Sequence, residues 1–244
     1  MKKEQKKETT KDMTKIVMIA SIVLVFVILV NSYFLSNLSD SLYPGSSSKN
    51  VFSFGLGSKN GEKDLSKVDI SSLKSTTHSL AAIFPIEKIK TTQDAIDIIL
   101  PKGTPEYGEE LGVSFDDPVA ALSFFHKKLY PQIKAELKQD PELWKRYIDL
   151  ATKPVGISCE YCCGIGPIGI NKQGESLCGC SHNPAIQAVT MWLIKNTEYS
   201  DAEVLREALK WKALWFPKNM IELGLKLSGG EVDLDNLPGM VGGC

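Results

Sequence analysis

The chain has 244 residues, a formal net charge of −1, 43% apolar residues and 23% charged residues. This composition is typical of a globular protein. The near-neutral charge argues against nucleic acid as a partner, because contacts to phosphates require a concentration of basic side chains.

The N-terminal segment has the pattern of a membrane anchor. Residues 1–15 contain six lysines and three acids, and residues 16–35 carry no charge. Twenty helical residues span about 30 Å, the thickness of the hydrocarbon core of a bilayer. Lysines on the N-terminal side favour a cytoplasmic tail, so the C-terminal domain is expected to be extracytoplasmic. We prefer an uncleaved, single-pass anchor in the cell membrane to a signal peptide, because no Ala-x-Ala site follows the apolar run.

The rest of the chain divides into a linker and one domain. Residues 36–65 are rich in Ser, Gly, Asn and Lys and lack a sustained apolar period, which predicts a flexible linker. Residues 66–244 are expected to form the extracytoplasmic domain.

Helix signals dominate that domain and predict an all-α fold, a small helical bundle. Ser200 and Glu203 have the spacing of a capping box. Three other helix starts share one device, an Asx residue followed by proline at the first helical position: Asp117-Pro118, Asp140-Pro141 and Asn183-Pro184.

Apolar residues behind these caps keep helical spacing, and we interpret their aromatic members as core. Pro131 is expected to kink or split its helix, and Pro217 to end the helix that starts at Ser200. Further helices are expected at residues 92–100 and 218–227.

Chemistry-bearing residues are concentrated in one loop. Five of the six cysteines and one of the three histidines lie between Cys159 and His182. The glycine-rich segment 164–174 is expected to loop out or form a hairpin, which would bring its two flanks together. The rear flank also precedes a helix N-terminus, where free N–H groups favour a thiolate over a thiol.

The first interpretation of this cluster is a metal site. Thiolate and imidazole are the ligands that soft and borderline ions prefer, so the predicted ion is zinc in a structural role or copper(I) in trafficking. The predicted ligands are Cys159, Cys162, Cys178, Cys180 and His182, with Cys163 as a substitute.

Structural disulfides are the second interpretation. Exported proteins are commonly oxidised, and six cysteines allow complete pairing. Cys162 and Cys163 are adjacent and cannot easily bond each other, so bridges would cross the glycine-rich loop. Such a stapled scaffold would bind another membrane or exported protein.

Thiol–disulfide exchange is the third interpretation, and here the chain resembles a known family. Its motifs are Cys159-Glu-Tyr-Cys162, Ser181-His-Asn183 opening a helix, Ser200-Asp-Ala-Glu203, and Leu214-Trp-Phe-Pro217. Together, over about residues 159–217, they resemble the thiol-reductase subunit of bacterial cytochrome c maturation, a membrane-tethered three-helix domain. The resemblance implies that Cys159 and Cys162 form a redox pair. The second thiol of the adjacent pair, Cys163, and the glycine-rich insert are not part of that family's pattern.

Cys178-Gly-Cys180 with His182 resembles a second group, the exported bacterial proteins that carry a Pro-Cys-Tyr-Cys-Gly-Cys motif, which implies metal handling. The chain shows no nucleophile–base pair, phosphate loop or HExxH helix, so we favour a binding protein over an enzyme. The last residue, Cys244, receives no function.

Overall fold

The computed structural model describes residues 63–229 and 240–242. These residues all belong to one compact unit, Leu56–Cys244. The predicted basic tail 1–15 and anchor 16–35 lie outside the described residues, as does nearly all of the linker 36–65. Within the described ranges, no helix is both long enough and apolar enough to cross a membrane.

The described part of the chain is helical and contains no β-strand, which confirms the all-α prediction. Three short 3₁₀ turns occupy Leu65–Lys67, Ile70–Ser72 and Ile86–Lys88, and a π turn occupies Phe125–Leu129. Ten α-helices account for most of the remaining described residues: α1 (Thr76–Ile83), α2 (Thr92–Ile99), α3 (Gly108–Leu111), α4 (Pro118–Phe124), α5 (Tyr130–Leu137), α6 (Pro141–Ala151), α7 (Glu160–Cys163), α8 (His182–Asn196), α9 (Asp201–Trp215) and α10 (Pro217–Ser228).

Three of the four predicted caps are confirmed. The Asp117 side chain accepts from the N–H of Ala120 at the start of α4. Asp140 caps α6 in the same way, and Ser200 with Glu203 forms the capping box of α9. Side-chain acceptors at these positions satisfy N–H groups that have no partner inside the helix.

The fourth predicted cap, Asn183, is wrong. Helix α8 already begins at His182, its N-cap is Ser181, and that residue makes no side-chain cap hydrogen bond. The Asn183 side chain instead donates to the carbonyl oxygen of Gly169, at 2.7 Å, because the preceding loop folds back onto the helix. The first backbone N–H groups of α8 bond to the Cys180 sulfur instead, so the Asn183 side chain is free to satisfy the buried loop carbonyl.

Prolines alter the helices in two ways. Pro131 does not end its helix, because the π turn absorbs the disturbance: the N–H of Tyr130 donates to the carbonyl of Phe125, five residues earlier. Pro217 follows the end of α9 at Trp215, as predicted, and it opens α10 at the first helical position.

Helix α8 is the centre of the domain. Every residue from His182 to Ile194 is buried, and helices α4, α5, α6 and α9 pack against α8. A helix that is covered all round is fixed in place by its neighbours. Its N-terminus, which follows the rear flank of the cysteine loop, is therefore a rigid platform.

Aromatic side chains fill the core beside α8, as predicted. Trp211 and Trp215 are fully buried, and their ring centroids lie 5.8 Å apart. Phe125 meets Trp211 edge to face at 5.0 Å. The α9 face that carries these tryptophans also borders the cysteine loop through Trp215 and Phe216.

Candidate metal centre

The two flanks of the glycine-rich loop meet. Helix α7 carries the front flank, Cys159 to Cys163, and the rear flank runs from Cys178 into α8. Cys163 and Cys178 form a disulfide whose Cα atoms are 6.6 Å apart. Deeper in the protein, the Sγ atoms of Cys159 and Cys180 lie 3.2 Å apart.

Donor atoms from both flanks form two overlapping groups. Within each group all ligand atoms lie within 4.8 Å of one another. Cys180 belongs to both groups, and all six residues predicted from the sequence are included. The four-sulfur group contains Cys159, Cys163, Cys178 and Cys180, and the second group contains Cys162, Cys180 and His182.

Exposure decreases steadily from the outer to the inner side of the cluster. Cys163 is exposed, and Cys162 and Cys178 are half-buried. The inner members, Cys159 and Cys180, are buried at 0% and 7% exposure, so solvent reaches the outer cysteines and is excluded from this inner pair.

His182 is oriented as a ligand would be. Its Nε2 lies 2.9 Å from the carbonyl oxygen of Val241, and since that oxygen only accepts, Nε2 carries the proton. The neutral ring then has its lone pair on Nδ1, which is buried and has no hydrogen-bond partner. Metal-binding histidines commonly use one ring nitrogen as ligand while the other donates to a carbonyl. The rings of Trp215 and Phe216, at 6.0 and 4.8 Å, fix the plane of the imidazole.

The buried sulfur pair is electrostatically asymmetric. A hydrogen bond from the Cys159 thiol lowers the pKa of Cys180 below its ordinary value of 9.0, helped by the first backbone N–H groups of α8. The same hydrogen bond, together with burial, raises the pKa of Cys159. The pair is therefore one thiol that donates to one thiolate.

Two polar side chains on α8 hold the loop against the helix. Asn183 donates from Nδ2 to Gly169 O and to Ser176 Oγ, both at 2.7 Å. Gln187 donates to Ile157 O at 2.8 Å and accepts from the hydroxyl of Tyr147 at 3.0 Å. Because the loop segments before and after the insert are bonded to adjacent turns of one helix, the two flanks are placed side by side.

Gly169 is where the loop and α8 come closest. A Cβ atom there would stand 2.5 Å from Gln187 Nε2 and 2.6 Å from Ile157 O, both closer than real contacts allow. Glycine is therefore required for lack of space, and any larger residue would push the loop away from α8.

The glycine-rich segment 164–174 forms the predicted hairpin, which is short. Ile170 and Ser176 form an isolated antiparallel bridge, and Asn171 N–H donates to Glu175 O at 3.0 Å. Lys134 on α5 pairs with Glu175 at 2.8 Å and lowers the pKa of that carboxyl. The hairpin is thus tied to the bundle on its solvent side as well.

Sequence reasoning missed a buried ion pair under the front flank. Lys212 on α9 is fully buried, and its Nζ lies 2.7 Å from Glu160 Oε2 and 3.0 Å from Gly156 O. Its pKa is lowered by burial, which the charge of Glu160 opposes. A signal was present, because Lys212 follows Ala208 by four residues and so shares its apolar helix face.

The redox pair implied by the family resemblance remains a prediction. In the structure Cys159 contacts Cys180, and the backbone N–H of Cys162 donates to Cys159 O at 2.8 Å within the turn of α7. The two histidines outside the cluster, His78 and His126, lie on α1 and in the π turn.

Comparison of the chain with protein-family models, with curated proteins and with solved structures finds no match. The geometry of the cluster is therefore the basis for inferring a function. That geometry allows two kinds of chemistry, coordination of a thiophilic ion and thiol–disulfide exchange.

Proposed function

We propose that the protein binds one thiophilic metal ion, zinc or copper(I), through the cysteine–histidine cluster. The observation that carries the proposal is the four-sulfur group, in which sulfurs from both flanks of the loop lie within 4.8 Å of one another. Four thiolates suit tetrahedral zinc and are equally suitable for the softer copper(I).

The properties of Cys180 and His182 match a ligand site better than a disulfide scaffold. Cys180 has a lowered pKa, and the thiolate is the form that binds metal. The Nδ1 atom of His182 is buried without a partner, and an ion held by the second group, Cys162, Cys180 and His182, would supply one. Buried polar atoms are usually satisfied, so an unpaired lone pair beside several sulfurs favours a ligand.

The partial exposure of the cluster favours a trafficking role over a purely structural one. The Cys163 side of this cluster faces solvent, whereas Cys159 and Cys180 are buried. An ion held there can be reached by the ligands of an acceptor protein. Handover by ligand exchange fits the labile binding of copper(I) by thiolates.

The test is metal analysis of the full-length chain, purified under anaerobic, reducing conditions. We expect about one zinc or copper(I) ion per chain, and we expect Cys159→Ser and Cys180→Ser to lose it. Competition with chromophoric chelators, first with zinc alone and then with copper(I) alone, ranks the two ions.

His78→Ala is the matched control for His182→Ala, because His78 is exposed and lies on α1. The His78→Ala variant should keep the wild-type affinity for the ion. His182→Ala should weaken that affinity by about 10- to 100-fold, the range typical when a group that supports a metal site is lost. A reduced wild-type chain that binds neither ion at micromolar concentration contradicts the proposal.

A second candidate, thiol–disulfide exchange, is favoured by the disulfide between Cys163 and Cys178. An exchange-active disulfide needs access, and Cys163 is exposed. Alkylation of the reduced chain, first metal-free and then with zinc or copper(I) added, separates the two functions. A redox protein shows one fast-reacting cysteine and reduces a disulfide substrate catalytically. A metal protein does neither once the ion is added.

We also propose the cellular placement expected from residues 1–35, a single-pass membrane anchor with the helical domain outside the cytoplasm. The support comes from the charge-free run 16–35 and the lysines before it. An extracytoplasmic donor or acceptor of the ion would then be another membrane or exported protein.

A further inference from the structure

The disulfide and the four-sulfur group use the same two sulfurs. Cys163 and Cys178 are bonded to each other, and both also belong to the group with Cys159 and Cys180. A disulfide sulfur carries no negative charge and is a poor ligand, because the thiolate is the form that binds metal. Formation of the disulfide and coordination by all four sulfurs are therefore mutually exclusive.

We propose that the Cys163–Cys178 disulfide is a redox gate on the metal site: a dithiol reductant completes the four-sulfur site and raises the affinity for the ion, and a disulfide oxidant lowers that affinity. The inference rests on the proposed metal binding and adds its regulation. The partner it implies is a dithiol–disulfide protein or a small thiol in the same compartment.

Accessibility makes the outer pair the reactive one. Cys163 is exposed and Cys178 is half-buried, whereas Cys159 and Cys180 are buried. The neighbouring residues Gly164 and Gly179 leave open space, since a Cβ atom at either position would meet nothing within 4 Å. Cys163 is the most exposed cysteine of the cluster, so an incoming thiolate attacks its sulfur rather than those of the buried pair.

The exchange step balances without any other reactant. A thiolate of the dithiol attacks the Sγ of Cys163, the bond between the two protein sulfurs breaks, and Cys178 leaves as a thiolate. The second thiol of the reductant then attacks the mixed disulfide and releases Cys163. Two electrons pass to the protein, the dithiol becomes a disulfide, and the thiol protons go to the buffer when the ion binds.

The reverse step leaves the ion with too few ligands from the group. When a disulfide oxidant accepts two electrons from Cys163 and Cys178, only Cys159 and Cys180 remain as sulfur donors in the four-sulfur group. The second group, Cys162, Cys180 and His182, is intact when the disulfide is formed, so the oxidised chain keeps a weaker three-ligand site, and loss of two of the four sulfurs lowers the affinity for the ion.

The gate can operate without unfolding the domain. The hairpin stays attached to α8 through the bonds from Asn183 to Gly169 and from Gln187 to Ile157. Lys134 and Glu175 hold its solvent side. The inner pair, Cys159 and Cys180, therefore keeps its place in both redox states.

The experiment measures the affinity of the full-length chain in both states, with zinc alone and with copper(I) alone, against a chromophoric chelator. The reduced state is prepared with dithiothreitol and desalted anaerobically, and the oxidised state with oxidised glutathione. We expect the oxidised chain to bind about 100-fold more weakly or worse, the upper end of the cost of disturbing a ligand. Re-reduction should restore the affinity, and peptide mapping should find the Cys163–Cys178 disulfide only in the oxidised state.

Two variants make the gate falsifiable. The double variant C163S/C178S should bind more weakly than the reduced wild type and equally in both redox states. Cys162→Ser, which removes a cysteine outside the four-sulfur group, should keep the dependence on oxidation.

The outcomes separate the gate from the proposed function. An oxidised wild-type chain that binds as tightly as the reduced one overturns the gate and leaves metal binding intact. A C163S/C178S chain that still responds to oxidation also overturns the gate. If neither redox state binds zinc or copper(I), the metal-binding function and the gate fail together.

Discussion

Lys212 Nζ lies 2.7 Å from Glu160 Oε2, and this buried ion pair joins helix α9 to the turn of α7 that carries the front cysteines. The Lys212 side chain is 0% exposed and that of Glu160 is 16% exposed. Nζ also lies 5.0 Å from the centre of the Tyr161 ring, and Thr76 donates to the same carboxylate. The position of Cys159 thus depends on a charge pair in the core.

Replacing the lysine alone should destabilise the protein strongly. In Lys212→Met the half-buried Glu160 carboxylate loses its charge partner and keeps the hydrogen bond from Thr76, and we expect the free energy of unfolding to fall by about 3 kcal/mol, the lower end for a broken buried pair. Adding Glu160→Gln should recover part of the loss, because it removes the unpaired charge. Urea denaturation of the metal-free, reduced chain measures both.

The control for this prediction is Lys226→Met on α10. Its partner is Glu222, four residues earlier, and the lysine side chain is 62% exposed. Exposed pairs of this kind contribute little, so the unfolding midpoint should barely move. Equal effects at the two lysines would show that the buried pair does not anchor α7.

Gly169→Ala should separate the loop from α8. The added methyl group would overlap with the Asn183 and Gln187 side chains, and forced overpacking typically costs about 1–3 kcal/mol. Because those two side chains hold the loop, the affinity for zinc or copper(I) should also fall. Chelator competition and urea denaturation on the same sample measure the two effects.

Gly179→Ala is the matched control within the rear flank. A Cβ atom at this position meets nothing within 4 Å, and Gly179 is not among the positive-φ glycines. We expect near wild-type stability and affinity. If Gly179→Ala is as damaging as Gly169→Ala, crowding against α8 is not the reason for the glycine.

The metal-free, reduced chain should hold one buried thiolate at neutral pH. The hydrogen bond from Cys159 lowers the pKa of Cys180, so the ultraviolet absorbance of its thiolate should persist well below pH 9.0. Cys180→Ser should remove that absorbance. The lowered pKa of Cys180 stabilises the fold above its folded pKa, whereas the raised pKa of Cys159 destabilises the fold above pH 9.0, so the pair stabilises the fold most near pH 9.0. That stability is lost as the pH falls through the folded pKa of Cys180.

Cys159→Ala is the informative companion variant, because it removes the thiol that donates to Cys180. The pKa of Cys180 should then rise toward its ordinary value, and the thiolate absorbance should vanish at a higher pH than in the wild type. Cys244→Ser should leave the titration midpoint unchanged. A midpoint that Cys159→Ala does not move would contradict the thiol–thiolate pair.

The charge-free run 16–35 should retain the protein in the membrane. We expect the full-length chain to stay in the membrane fraction after an alkaline carbonate wash, and a variant lacking residues 16–35 to be released. Protease added from outside the cell should digest the helical domain. A domain that is digested only after the cytoplasm is opened would reverse the predicted orientation.

Much of the fold could be predicted because its signals are local. Asp117, Asp140 and the Ser200–Glu203 box each mark a helix start through contacts within four residues. Asn183 has the same local pattern, yet its side chain bonds to Gly169. The difference arises from a loop that folds back from fourteen residues away, which no cap pattern records.

The sequence by itself determined which chemistry is available, because thiols and an imidazole are concentrated on both sides of a flexible insert. Only the tertiary structure decided how they are used. It bonded Cys163 to Cys178, placed Cys159 beside Cys180, and oriented His182 through the distant Val241. These pairings depend on distances between segments that the central helix α8 and the buried Lys212 bring together, and such distances are set by packing rather than by local order along the chain.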